Sequence, residues 1–80
     1  MISLLESAVI SVLSRLKRAS EADLLRELRK TCLKEVTQTE LRAVLLKLEL
    51  MDLVVVYRGR NDALVAELTR HGELSFEPGF

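Results

Sequence analysis

The sequence predicts a small α+β domain that is mainly α-helical and carries a β-hairpin near its C-terminal end. Three observations predict this class. Capping-box patterns beginning at Ser20 and Thr37 mark two helix starts. Leucines at helical spacing follow each cap. Residues 54–57 (VVVY) are β-branched or aromatic and run into turn residues, as the first strand of a hairpin does. The length of 80 residues leaves room for one hydrophobic core.

The first two helices are predicted from their patterns of apolar residues. Over residues 3–18, apolar residues fall on one broad face, and serines and basic residues fall on the other. Leu4 and Ile10 lie off the apolar face, which makes them candidates for a contact with another chain. The letters SEAD at residues 20–23 have capping-box spacing, so the second helix should begin at Ser20 after a gap of one or two residues.

The third helix is predicted over about residues 38–51, behind a full capping box formed by Thr37 and Glu40. The connection before it, residues 31–36, should turn its apolar side chains inward, and these are Cys32, Leu33 and Val36. The core face of the helix is expected to contain Leu41, Val44, Leu45, Leu48 and Met51. An arc nearly opposite the core face contains Thr39, Ala43, Leu46 and Leu50.

The C-terminal part of the sequence predicts the hairpin and a tail. Residues 58–62 (RGRND) are turn residues, and residues 63–68 alternate in polarity as a returning strand does. We therefore place the domain at residues 1–72 and a loose tail at residues 73–80, which hold the single proline.

The charge balance is neutral overall but uneven along the chain. Twelve Lys and Arg residues match twelve Asp and Glu residues, whereas a dedicated nucleic-acid binder usually carries a basic excess. Residues 15–34 hold seven basic and three acidic side chains, and residues 61–80 hold one basic and four acidic side chains. The scarcity of Cys, Gln and Asn (one each), with abundant Leu, Val and Arg, is typical of a thermophilic source.

Several function classes find no support in the sequence. A single cysteine allows no intrachain disulfide, which fits a reducing cytoplasm, and neither a secretory signal nor a membrane span is apparent. The single histidine, His71, has no nucleophile or acid at catalytic spacing, and no Gly-rich phosphate loop or metal-ligand pattern occurs. We therefore predict a non-enzyme without catalytic residues, metal, cofactor or small-molecule ligand.

The order of helix, helix, capped helix and hairpin resembles a three-helix winged helix-turn-helix. The segment TQTELRAVLLKLELMDLV, residues 37–54, resembles the turn and third helix of MarR- and PadR-type bacterial and archaeal transcription regulators. The segment ELTRHG, residues 67–72, resembles the end of the wing in that family. One departure is Asp52, which stands where the family usually has glycine.

The resemblance implies binding to double-stranded DNA, with the third helix in the major groove and the wing on phosphates. Carried over residue by residue, it implies that the DNA-binding residues of the helix are Gln38, Thr39, Arg42 and Lys47, and that those of the wing are Arg58 and Arg60. An alternative without DNA contact is that the two wing arginines only protect a strand edge from aggregation.

Two functions compete for the outer face of the third helix. The first is DNA binding by a small transcription regulator or chromatin-associated factor, which we favour. The second is a protein-interaction module, because an exposed leucine stripe generally marks a protein contact. The interface residues would then be Ala43, Leu46 and Leu50, with Leu4 and Ile10 as the alternative dimer surface. A core this small also favours a homodimer or a protein partner.

Overall fold

In the part of the chain that the structure describes, four helices pack against a small antiparallel sheet. Residues 3–31 and 33–75 are described by the structure, a computed structural model. In chain order, the elements are α1 (Leu4–Leu16), β1 (Arg18–Ser20), α2 (Glu21–Lys30), α3 (Gln38–Leu50), β2 (Val54–Arg58), a short 3-10 turn (Arg60–Asp62), β3 (Leu64–Leu68) and α4 (Arg70–Ser75). The predicted class, three helices and a hairpin in an α+β domain, is confirmed.

Helix α1 lies at the centre of the core. It begins behind Ser3, whose hydroxyl accepts a hydrogen bond from the amide of Glu6 at 3.2 Å. Both α2 and α3 pack against it, as does β3, so its burial extends beyond one face. The prediction that Ile10 lies outside the apolar face is wrong, because its side chain is only 2% exposed and belongs to the core. Leu4 is exposed, as predicted.

Strand β1 is one of two elements that the sequence pattern does not predict, and the other is α4. Residues 18–20 pair antiparallel with β3. The predicted end of the first helix at residue 18 is therefore wrong, because α1 ends at Leu16 with Lys17 as its C-cap. The sheet order is β1-β3-β2, so β3 is the central strand of three. A three-residue segment is too short to show alternation. The strand forms because the hairpin offers it a hydrogen-bonding edge.

Helix α3 follows its predicted capping box closely. The hydroxyl of Thr37 accepts from the amide of Glu40 at 3.1 Å, and the carboxylate of Glu40 accepts from the amide of Thr37 at 2.9 Å. Three of the predicted core residues are buried, and these are Leu41, Leu45 and Leu48. Met51 is not, with 43% of its surface exposed, because it is the C-cap residue and no longer follows the helical direction.

The turn from α3 into β2 is tight although it contains no glycine. Asp52 adopts the left-handed conformation with φ 62°, a conformation that Asp tolerates better than most residues. This lets the amide of Leu53 reach the carbonyl of Leu48 at 2.9 Å. Asp52 thus makes this turn without a glycine.

Helix α4 replaces the first part of the predicted tail. Thr69 begins it by accepting a hydrogen bond from the amide of Gly72 at 2.8 Å, while its own hydroxyl donates to the carbonyl of Asp52 at 2.7 Å. Residues 73–75 are therefore helical rather than loose. Cys32 and the tail residues 76–80 lie outside the described residues.

Candidate nucleic-acid interface

The candidate interface begins at the first turns of α3. Gln38, Thr39 and Arg42 are exposed there, directly behind the capping box. Winged and other helix-turn-helix proteins that bind DNA contact base edges with the N-terminal residues of this helix. The structure therefore leaves these three predicted residues accessible, but two of them have an intramolecular partner.

That partner is Glu21, the first residue of α2. Its carboxylate accepts from Gln38 Nε2 at 2.6 Å and from Arg42 Nη2 at 3.2 Å through Oε1, and from Arg42 Nε at 2.6 Å through Oε2. Glu21 is only 8% exposed, whereas the Arg42 side chain is about half exposed. A buried carboxylate of the scaffold thus holds two side chains of the candidate interface.

The ionisation of Glu21 reflects these contacts. The hydrogen bond from Arg42 lowers the pKa of the Glu21 carboxyl below its ordinary value, and partial burial opposes this shift. The bond from Gln38 and the positive charge of Arg58 lower the pKa further. The charged form of Glu21 is therefore favoured, and it is the form that accepts hydrogen bonds from both side chains.

Lys47 is held in a similar way by the other buried acid. Its Nζ lies 2.8 Å from Oε1 of Glu6, a residue of α1 that is buried. The hydrogen bond from Lys47 lowers the pKa of Glu6, against the effect of burial. Glu6 Oε2 has no hydrogen-bond partner among the described residues. Lys47 therefore compensates a buried charge, in addition to any contact it makes outside the chain.

The wing presents its two arginines differently. Arg58 Nη1 donates to the carbonyl of Asp62 at 2.9 Å, and its Nε lies 3.8 Å from the Asp62 carboxylate. Arg60 forms no ion pair with any residue of the described ranges. Asn61 and Asp62 adopt left-handed backbone angles at the tip, which agrees with the turn chemistry of the sequence. Arg60 is thus the less encumbered cation of the wing.

The apolar stripe of α3 is exposed, as its sequence pattern predicts. We define the stripe as Thr39, Ala43, Leu46 and Leu50. All four are exposed, Leu46 by 57% and Leu50 by 80%. The C-terminal half of the stripe, Leu46 and Leu50, offers no charge to a phosphate, so along this line the helix surface changes from polar at its N-terminal end to apolar at its C-terminal end.

The roles of the two buried acids, Glu21 and Glu6, are not apparent in the sequence. Glu21 has a sufficient local explanation as part of the capping pattern of residues 20–23, in which Ser20 accepts from the amide of Asp23. Glu6 belongs to no sequence motif that would indicate its role. The bonds that define their roles span 17 to 41 positions in the sequence. No spacing rule detects contacts of that kind, which depend on how the helices pack.

Other kinds of site find no support in the described part of the chain. Residues 3–31 and 33–75 contain no group of three His, Cys, Asp or Glu side chains that could hold a metal ion. Within the same ranges, no helix combines the length and apolar character needed to cross a membrane.

Comparison with known proteins identifies the fold. No family model and no curated protein matches the sequence. The solved structure of disulfide-formed AbfR, a staphylococcal winged-helix regulator, matches this chain with a TM-score of 0.81 at 20% sequence identity. The chain has the winged-helix fold. The match covers 95% of this winged-helix chain and 49% of AbfR, so the chain spans about half the length of that neighbour.

Proposed function

We propose that this chain is a DNA-binding winged-helix domain of a small transcription regulator, of the MarR or PadR kind. The observation that carries the proposal is the polar N-terminal part of α3, where Gln38, Thr39 and Arg42 are exposed. The likeness to a winged-helix regulator supports it. In this function, side chains of α3 contact base edges in the major groove, and the wing contacts phosphates.

The proposal predicts weak, salt-dependent binding to duplex DNA of random sequence. Much of the cationic charge of the chain is already paired internally, so we expect few phosphate contacts and a shallow salt slope. The measurement is a titration of labelled random duplex at low salt, followed by fluorescence anisotropy. No detectable binding at micromolar protein would overturn the proposal.

The wing arginines should account for a definite part of this salt slope. Replacing both Arg58 and Arg60 with Ala should flatten the slope of log K against log salt by up to roughly two. Arg60→Ala alone should remove about one, and Arg58→Ala less, because Arg58 already has Asp62 as a partner. The matched control is Arg70→Ala, at the opposite end of β3 from the wing tip, which should leave the slope unchanged.

A protein-interaction module is the second candidate function, and the exposure of Leu46 and Leu50 favours it. Side chains this apolar and this exposed, on one helix face, are typical of a protein contact. The contact is compatible with DNA binding, because the stripe's leucines lie beyond the polar turns of α3. A homodimer through the stripe is the simplest form of this candidate.

Leu46→Glu tests the stripe as a surface for self-association. If the wild type is a dimer, the substitution should convert it to a monomer, because a charge would be buried in an apolar contact. The measurement is mass in solution by light scattering at high protein concentration. Leu74→Glu is the matched control on α4, where the leucine is also exposed and belongs to neither candidate dimer surface. Leu4→Glu tests the alternative surface on α1 in the same way. A monomeric wild type whose mass and solubility do not change in Leu46→Glu excludes the stripe as a self-association surface.

A further inference from the structure

We propose that Glu21 is a positioning residue that sets the base selectivity of α3 by holding Arg42 and Gln38 in one orientation. The inference rests on the proposed DNA-binding function and deepens it. It concerns a residue of α2 that lies behind the interface rather than on its outer surface. Four features carry it: the fixed position of the carboxylate, the donors that remain on its partners, the exposure of those partners, and the charge it brings.

The position of the carboxylate is fixed by the fold. Glu21 is the first residue of α2, directly after Ser20, which caps the helix by accepting from the amide of Asp23 at 3.1 Å. With only 8% of its surface exposed, the side chain has little freedom. It can therefore act as a rigid reference point for side chains on α3.

Arg42 keeps enough donors to contact a base while Glu21 holds it. A guanidinium has five N–H donors, and Glu21 accepts from Nε and from one hydrogen of Nη2. Both hydrogens of Nη1 and the second of Nη2 remain, which is the set needed for a bidentate contact with guanine O6 and N7. Glu21 thus fixes the inner edge of the guanidinium and leaves the outer edge available.

Gln38 is constrained through the same carboxylate oxygen. Its Nε2 donates to Glu21 Oε1, which leaves one amide hydrogen and the carbonyl oxygen for an outside partner. A glutamine that is free to rotate can present either group to a base edge. A glutamine that Glu21 holds presents them in one order, which favours one arrangement of donors and acceptors in the groove.

The charge of Glu21 should reduce affinity while its geometry improves selectivity. A carboxylate near the phosphates repels DNA and neutralises Arg42, so it lowers binding to every sequence alike. In return, Arg42 and Gln38 lose less rotamer freedom when they meet the correct bases. A residue with these two effects raises discrimination at the expense of general affinity.

The test compares Glu21→Gln with Glu27→Gln. Glu27 lies on the same helix, also pairs with two cations, Arg15 and Lys30, and touches neither Arg42 nor Gln38. Each purified protein is used to select from a duplex library with a randomised central segment, and its salt slope is measured on the unselected library.

For Glu21→Gln we expect a salt slope steeper by about one, since Arg42 becomes available to phosphate. The roughly five- to hundredfold preference at the base pair that Arg42 contacts should fall close to one. Glu27→Gln should select the wild-type motif.

A second variant separates orientation from charge. Glu21→Asp keeps the negative charge but withdraws the carboxylate by one methylene, so the salt slope should stay near the wild-type value while the preference weakens. This variant also decides the matter if Glu21→Gln fails to fold, as monitored by thermal melting. A wild-type motif of unchanged strength in Glu21→Asp and Glu21→Gln overturns the positioning role but leaves DNA binding intact. A wild type that binds no duplex overturns the proposed function itself.

Discussion

Leu41→Ala should lower the free energy of unfolding by about 2–5 kcal/mol, the range for removing a buried leucine side chain. Leu41 is fully buried on the inner face of α3, within the core cluster. The substitution leaves a cavity between α3 and the core, and the neighbouring helices can collapse into it only in part. Urea denaturation followed by circular dichroism at 222 nm measures the change.

Leu50→Ala is the matched control, since it makes the same chemical change on the same helix. Leu50 is 80% exposed, so we expect a change within about 0.5 kcal/mol. Both variants should be measured at low protein concentration, where self-association through the stripe contributes least. Equal losses for the two variants would contradict the placement of α3, because they would mean that its two faces are buried alike.

Gly72→Ala should destabilise the domain by about 1–3 kcal/mol, the range for overpacking. A β-carbon at residue 72 would lie 2.1 Å from the carbonyl oxygen of Leu53, and this oxygen is already fixed by a hydrogen bond from the amide of Thr69 at 3.0 Å. Helix α4 must therefore move away from the start of β2. Thermal and urea unfolding measure the loss.

The sign of the change in the free energy of unfolding distinguishes close packing at Gly72 from an ordinary helix position. In an exposed helix, replacing Gly with Ala stabilises by up to about 1 kcal/mol through helix propensity. A stabilised Gly72→Ala variant would therefore contradict the close packing of α4 on Leu53. His71→Ala, at the neighbouring exposed position, should change the free energy of unfolding by no more than about 0.5 kcal/mol.

Thr69 and Gly72, both in the segment ELTRHG, form the junction between the end of the wing and the end of α3. Thr69 both caps α4 and donates to the carbonyl of Asp52, so it ties the end of the wing to the end of α3. Gly72 is required because α4 approaches the backbone of Leu53 too closely for any side chain. The motif is thus explained by one compact junction, although its residues suggest only a turn when the sequence is considered alone.

Local chemistry determined much of the fold from the sequence alone. The capping patterns at Ser20 and Thr37 place two helix starts correctly, because an N-cap hydrogen bond joins residues three positions apart. The β-branched run and the RGRND turn also predict the hairpin correctly, because strand and turn preferences depend on residues that are adjacent in the sequence. The exposure of Leu46 and Leu50 also follows from helical periodicity within a single element.

Contacts between distant segments were decided only by the tertiary structure. Strand β1 exists because β3 offers it an edge, and Ile10 is buried because several elements surround α1. The pairing of Arg42 with Glu21 and of Lys47 with Glu6 joins different helices, so no periodicity within one helix reveals it. The sequence by itself determined which residues of α3 face outward. Only the packing of the helices decided that its two outward cations, Arg42 and Lys47, pair with buried acids. An ion pair forms between groups that are close in space, and these partners are far apart in the sequence.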